Sequence, residues 1–423
     1  AYAACTVCSP TRAAIMTGKY PARLHLTDWI PGHPKPKARL KIPDWTQTLT
    51  HDNETIAGAL KRHGYVSASI GKWHLGKDFP DKHGFDLNVA GCQAGQPPSY
   101  FSPYRIPTLQ DGPPGEYLTD RETDEACKFV EANRDKPFFL YLPHYCVHTP
   151  LQAKKDMIAA YKETVTPGLR HKNATYAAMI QSLDESVGRV AAKLEELKLT
   201  DRTIVIFTSD NGGLLSSTTN APLRAGKGSS YEGGVRVPLI VKWPGVVQPG
   251  GLCEEPVISV DFHPTILDIV GARDDLKNKT FDGCSIAPVL RDAKARLDRE
   301  AIFWHYPHYH PGGATPYSAV RAREWKLVEF FEDNRVELYN LKDDIGEKKD
   351  LAAAMPDKAT ELRKRLADWR QALSAQLPTP NPDYDPAPKP EPKRKKATGE
   401  LSPAEVETAS ILDDEQPSLW WPE

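Results

Sequence analysis

The run Thr203-Ile204-Val205-Ile206-Phe207-Thr208 leads directly into Ser209-Asp210-Asn211-Gly212-Gly213. A continuous apolar, β-branched run closed by a turn signal predicts a central parallel strand covered on both faces. Upstream, Ala174–Leu197 predicts a long helix that brings Ala178, Leu183, Val187, Val190 and Leu194 to one face. Thr123–Asn133 predicts a helix leading into the strand Phe138–Leu142, and Glu54–His63 a helix closed by Gly64 ahead of the strand Tyr65–Ile70. Downstream, Val237–Val241 reads as a strand and Asp261–Val270 as a helix. This alternation over residues 1–300 predicts an α/β layer fold.

From about Ala301 the texture changes. Ile302–Trp304, Tyr317–Val320, Lys326–Phe331 and Val336–Asn340 are short β-like runs, the last two joined across Glu332–Arg335, as in an antiparallel meander. Leu362, Leu366, Trp369, Leu373 and Leu377 then recur at helical spacing. The expected organisation is a catalytic α/β domain over 1–300, a small α+β domain over 301–377 and a disordered tail over 378–423. That tail is first Pro-rich (PTPNPDYDPAPKPEPKRKK) and then acidic. Its Lys393–Lys396 run reads as a solvated linker rather than a docking patch.

The 54 Lys+Arg nearly cancel the 56 Asp+Glu of this 423-residue chain, which gives no reason to expect a nucleic-acid or anionic-membrane partner. No apolar run reaches the roughly 18–20 residues of a membrane span. The seven cysteines are too sparse for a disulfide framework.

Chemistry concentrates in a few motifs. Cys8-Ser9-Pro10-Thr11-Arg12-Ala13-Ala14-Ile15-Met16-Thr17-Gly18 reads as a helix with Ser9 as cap, Pro10 in its first turn and Gly18 as its stop. Cys8 then lies where an anion is welcome, with the Arg12 guanidinium one turn on. In Gly71-Lys72-Trp73-His74-Leu75-Gly76, Lys72 and His74 point the same way if the segment stays extended. His148, in Val147-His148-Thr149-Pro150, follows a buried strand, at the edge where open α/β sheets bind ligands; His144 reads as structural. Asp210 and Asn211 are either a turn or a pair of hard oxygen donors for Ca2+ or Mg2+. Glycines flank Lys227 in Arg224-Ala225-Gly226-Lys227-Gly228, and allow close backbone approach to an anion; Glu232 and Arg236 would hold that loop in shape. His305, Tyr306, His308, Tyr309 and His310 form a cluster readable either as a substrate-side wall or as a loop tying two domains together.

Taken together, these motifs resemble the sulfatase family, whose signature is Cys-x-Pro-Ser-Arg followed by a small-apolar stretch and Thr-Gly. This chain has Thr11 at the Ser position. The resemblance implies an alkaline-phosphatase-like fold, with a mixed, mostly parallel sheet sandwiched by helices. It also implies that a formylglycine-generating enzyme converts Cys8 to formylglycine. The hydrated aldehyde can take a sulfate on one hydroxyl and expel it with the other, an exit that a serine ester would lack. By the same resemblance Lys72, His148 and Lys227 bind the sulfate, and Cys8, Arg12, His74 and His148 are catalytic. Asp210, Asn211 and modified Cys8 hold Ca2+, or Mg2+.

The implied activity is hydrolysis of a sulfate monoester, by family habit on a sulfated carbohydrate, in the periplasm or outside the cell. A phosphonate or phosphodiester hydrolase of the same superfamily and an inactive sulfatase-like fragment are the alternatives. The family places an Asp-Asp metal pair after a first strand, ahead of the Cys motif. The chain opens at Ala1, and its early acids, Asp28 and Asp44, match no such pattern. The expectation is therefore a chain lacking that strand and half its metal site, poorly folded or inactive when expressed alone.

Overall fold

The computed structural model describes residues 1–166 and 168–386. In chain order the strands are β1 (Leu40–Lys41), β2 (Val66–Ile70), β3 (Leu87–Val89), β4 (Phe138–Tyr141), β5 (Val205–Thr208) and β6 (Leu239–Lys242). They are followed by β7 (Ile302–Tyr306), β8 (Tyr317–Ala322), β9 (Trp325–Phe330), β10 (Val336–Asn340) and β11 (Thr379–Pro380).

β2 lies between β3 and β4 and is parallel to both. Alternation along β4 sends its side chains to opposite faces. Phe138 and Leu140 pack with Ala68, Ile70, Phe129, Val130 and Leu194, beneath the helices Leu118–Ala132 and Ala174–Glu196. Phe139 and Tyr141 pack with Ala13, Met16, Ile56, Leu60 and Trp73, against the helices Cys8–Thr17 and Ile56–Lys61. This is the helix-sheet-helix sandwich expected of an α/β fold.

The run at 203–208 departs from expectation. β5 pairs antiparallel with β6, in register from Val205 opposite Lys242 to Thr208 opposite Leu239, and its four residues are only half-buried. Among the described residues, β5 makes no ladder with β4. The two strands instead face each other across a cleft of about 2750 Å3, which is also lined by Leu183, Val187 and Val190 of the long helix. An apolar strand run does not reveal the direction of its partner, because either direction buries the same side chains.

The antiparallel meander forms as the order β10-β9-β8-β7. One face packs Val320, Leu327 and Leu338 against Leu362 and Leu366 of the helix Pro356–Ala372. Leu377 lies beyond that helix and is half exposed. The other face presents Trp304, Tyr306, Tyr317, Val328 and Phe330 to Tyr2, Val7, Ala14, Val235 and Ile258, so the meander shares a core with the segment around Cys8. At the start of the expected tail, β11 pairs antiparallel with β1. The remainder of that tail, 387–423, including Lys393–Lys396, lies outside the described residues.

A buried ionic cluster reinforces the shared core. Lys326 Nζ on β9 lies 2.8 Å from Glu232 Oε1 and 3.0 Å from Glu347 Oε1, with all three side chains shut off from solvent. Tyr2 donates to Glu232 (2.7 Å), and the Glu232 backbone N–H donates to Glu347 (2.7 Å). Removing one partner of such a cluster strands the others as uncompensated buried charge. Lys326→Met should therefore cost about 3–5 kcal/mol of stability, read as a lower denaturant midpoint in urea unfolding.

Candidate active site

The site is assembled by turns at the ends of these elements. The helix Cys8–Thr17 is capped by Val7 in extended conformation with no side-chain bond, and Gly18 closes it in the left-handed region (φ 69°), its N–H donating to Ala14 O. Ser9, expected as the cap, instead accepts the Ile30 N–H (3.2 Å). The Thr11 hydroxyl fastens the loop that presents Cys8, donating to Cys5 O (3.0 Å) and accepting the Cys5 N–H (3.1 Å). A serine hydroxyl could make the same pair.

Arg12 turns its fork across the site. Its Nε and one terminal nitrogen each lie 2.8 Å from Asp210 Oδ2, and the other terminal nitrogen donates to Lys72 O (2.8 Å). The segment after β2 is not extended, since His74 sits in the left-handed region (φ 59°), yet Lys72 and His74 still both reach Cys8. His74 Nε2 lies 2.6 Å from Ile30 O, and Nδ1 lies 3.3 Å from Cys8 Sγ. Because a carbonyl only accepts, Nε2 carries a proton and Nδ1 is left to take one from residue 8. His148 follows the same rule. Nδ1 lies 3.0 Å from Thr149 O, so Nε2 accepts from the Lys227 ammonium at 3.1 Å.

The Lys227 loop is pinned by backbone contacts. Lys227 N–H donates to Gly213 O, Gly228 N–H to Thr6 O and Gly212 N–H to Gly234 O. A Cβ on Gly212 would stand 1.8 Å from Gly233 O, which explains a glycine there. Arg236 stays near Glu232 (3.4 Å), consistent with a loop-shaping role.

Cys8, Arg12, Lys72, His74, His148, Asp210, Asn211 and Lys227 thus all line one end of the large cleft. Bases crowd Cys8, and Asp210 is set against Arg12, Lys72 and Lys227. Burial pushes the Cys8 thiol up, but Lys72, His74 and Lys227 outweigh it and hold the thiol well below its usual range. Burial would raise Asp210 too, yet Arg12, Lys72 and Lys227 hold it below the ordinary carboxylate range. Burial, with Arg12 and Lys227, lowers Lys72 to about 8. Burial and then Lys227 keep His148 neutral, well below the usual histidine range. Excess positive charge in a partly dry pocket is what a sulfate monoester requires.

For a divalent cation the donor set is incomplete. Asp210 is bound to Arg12, and Asn211 donates through Nδ2 to Gly212 O, which leaves its carbonyl oxygen. No group of three or more His, Cys, Asp or Glu side chains among the described residues is arranged to hold a metal ion. Two oxygen donors fall short of the six to eight that Ca2+ takes.

His144 is structural, with its ring held between Glu122 (2.6 Å) and Ser186 (2.9 Å). The cluster at 305–310 divides. His305 binds Ser318 and Gln376 O, while Tyr306 donates to the buried Asp28 (2.8 Å) and His308 meets Thr27 (2.8 Å). His310 alone of these lines the cleft. Sequence reasoning missed the backbone carbonyls of Ile30 and Thr149, which set the two imidazole tautomers, and Gly95, whose Cβ would stand 2.5 Å from the His74 ring. No residue type marks a backbone acceptor in advance.

The sandwich, with a cationic cluster at its cleft, is an alkaline-phosphatase-like hydrolase fold. The Sulfatase family model matches residues 1–272, and the model "N-sulphoglucosamine sulphohydrolase, C-terminal" matches residues 226–373. A sulfatase of Formosa agariphila is 33% identical over 86% of this chain and 79% of its own length. Human N-acetylgalactosamine-6-sulfatase is 31% identical over 72% of this chain and 60% of its own length. The crystal structure of Ps i-CgsB in complex with k-i-k-neocarrahexaose superposes with a TM-score of 0.74 at 29% identity, over 90% of this chain and 85% of that one. The chain belongs to the sulfatase family and is a sulfuric ester hydrolase.

The Lys72 environment makes anion binding pH-dependent. Lys72 is charged below about 8 and loses its proton above it. Inorganic sulfate, titrated calorimetrically, should therefore bind roughly tenfold more weakly once pH rises well past 8. Lys72→Arg should flatten that dependence, because a guanidinium stays charged throughout.

Proposed function

We propose that this chain hydrolyses a sulfate monoester of a sulfated carbohydrate, with Cys8 matured to formylglycine by a formylglycine-generating enzyme. The observation that carries the reading is the convergence of Lys72, His74, His148, Lys227 and the Arg12–Asp210 pair on Cys8 at one cleft end. Glycan-directed relatives support the substrate class, among them the human N-acetylgalactosamine-6-sulfatase. Among the described residues no helix is long and apolar enough to cross a membrane. A periplasmic or secreted location belongs to the same proposal, as do domains at 1–300 and 301–377.

As formylglycine, residue 8 supplies a hydrated aldehyde, with one hydroxyl to receive the sulfate and a second to release it. The chain's other residues do the binding and move the protons. Lys72 and Lys227 hold the sulfate oxygens and offset the charge that accumulates in transfer. Arg12 keeps Asp210 and the Lys72 carbonyl in place. Lys227 Nζ and His148 Nε2 hold one proton between them, and this proton is offered to the departing alcohol oxygen. His74, anchored on Ile30 O, has Nδ1 free to take a proton from residue 8 when sulfate is expelled. A Ca2+ or Mg2+ ion would be held by Asp210, Asn211 and modified Cys8, and would offset negative charge on the sulfate.

Peptide mass spectrometry around Cys8 is the direct test: formylglycine lowers the peptide mass by about 18 Da relative to the thiol. Cys8→Ala should abolish hydrolysis of 4-nitrophenyl sulfate, and Lys227→Ala should lower kcat by about 10^2–10^3. An unmodified thiol in active protein would overturn the mechanism. Preferential turnover of phosphate diesters would favour the phosphodiesterase reading.

A further inference from the structure

His310 belongs to neither the Arg12–Asp210 ion pair nor the Lys227–His148 proton pair, yet the fold holds it with care. It follows β7 in a tight turn, in which its N–H donates to Ala314 O (3.0 Å) and its carbonyl accepts from Gly313 N–H (2.9 Å). Its ring lies against the Lys227 loop, where a Cβ on Gly228 would stand 2.1 Å from His310 Nδ1. Gly228, in the left-handed region at φ 86°, leaves the space that the imidazole fills. A loop that binds sulfate through Lys227 and a turn of the antiparallel sheet are thus fitted to each other.

The tautomer is set by one contact. Nδ1 of His310 accepts the Gly312 backbone N–H at 3.0 Å. An acceptor nitrogen carries no proton, so the ring proton of neutral His310 resides on Nε2. Burial, then Lys227, His33 and Lys35, lower this histidine to about 4, so it is neutral at working pH. Among the described residues no carboxylate offsets these charges at the ring. Nε2–H has no hydrogen-bond partner among the described residues, and it is not one of the fully enclosed unpaired atoms. The residue lines the cleft next to Lys227, with Trp29, Gln93 and Gln96 on the same lining.

We propose that His310 is a specificity-determining residue that binds the alcohol half of the ester, its Nε2–H donating to a hydroxyl or ring oxygen of the sugar. The inference rests on the carbohydrate reading of this site. Its ring stands beside the Lys227 loop and lines the same cleft, and a fixed neutral donor suits an uncharged oxygen better than an anion. A site built to donate to a substrate oxygen discriminates against alcohols that lack it, since an unmatched donor loses its water for nothing. Sulfate transfer itself needs no proton from His310.

The test compares three ligands on the mature enzyme: galactose 6-sulfate, 4-nitrophenyl sulfate and inorganic sulfate as inhibitor. His310→Phe keeps ring volume without a donor, His310→Ala removes both, and His310→Gln restores an N–H. Phe and Ala variants should raise KM for the sulfated sugar by roughly tenfold, with the inhibition constant of inorganic sulfate within about twofold of wild type. The Gln variant should recover most of that loss. A second readout works without a loss-of-donor variant. In protein carrying 13C-labelled histidine, the His310 ring resonance, identified by its absence in the Gln variant, should move with galactose 6-sulfate and not with inorganic sulfate.

Wild-type turnover of the sugar with no effect of the Phe and Ala variants, or an equal loss of sulfate binding, would overturn the assignment of His310 alone. A wild type that hydrolyses 4-nitrophenyl sulfate but no sulfated sugar would instead overturn the carbohydrate reading, and His310's part in it.

Discussion

The pairing of Arg12 with Asp210 is the constraint on which the rest of the site depends. It ties the first helix to the end of β5 across 198 residues of sequence. It also settles an electrostatic problem. Burial opposes charge on Arg12 and Lys72, and the Asp210 carboxylate is a counterweight that favours the charged form of both. The geometry is strong because two guanidinium nitrogens reach one oxygen at 2.8 Å while the third group of the fork fixes Lys72 O. One residue therefore positions both Asp210 and the backbone of Lys72.

The antiparallel sheet contributes more than a cover. Lys326 reaches through the shared core to Glu232, which begins the turn after Lys227, while Arg224 donates to Tyr339 and to Glu347 O. The loop that carries Lys227 is thus clamped from behind by β9, β10 and the Glu347 turn, and from the front by Thr6 and Gly213. The sheet braces the Lys227 loop at one end, and through the turn at His310 it reaches the cleft at the other. Loops that carry chemistry need such scaffolding, because their own backbone bonds are few.

Much of this was legible in the sequence because the chemistry is local. Cys8 and Arg12 share a helix turn, His148 follows a strand, and Lys227 stands between glycines that a close backbone approach demands. Strand and helix positions were legible for the same reason, as periodicity is a property of neighbours. What stayed hidden depends on contacts distant in sequence. The antiparallel partner of β5 is set by β6, thirty-odd residues on, and the same apolar run would suit either direction. Ser9 looks like a helix cap until Ile30 claims it. The cluster at 305–310 could not be divided in advance, since three histidines of equal chemistry differ only in what surrounds them: Ser318 and Gln376 for His305, Thr27 for His308, and the open cleft for His310.

The tautomers show how finely that surrounding works. His74 and His148 each face a backbone carbonyl, Ile30 O and Thr149 O, so the nitrogen turned to the cleft is an acceptor. His310 faces a backbone N–H instead, that of Gly312, so its other nitrogen, Nε2, is the donor. Imidazole alone would offer both roles at once and exchange them freely in water. Fixing the far nitrogen on the main chain removes that freedom before any substrate arrives. The two acceptors lie against Cys8 and Lys227, and the donor lies beside the Lys227 loop. A single residue type is thereby divided into two functions by backbone groups that no side-chain motif records.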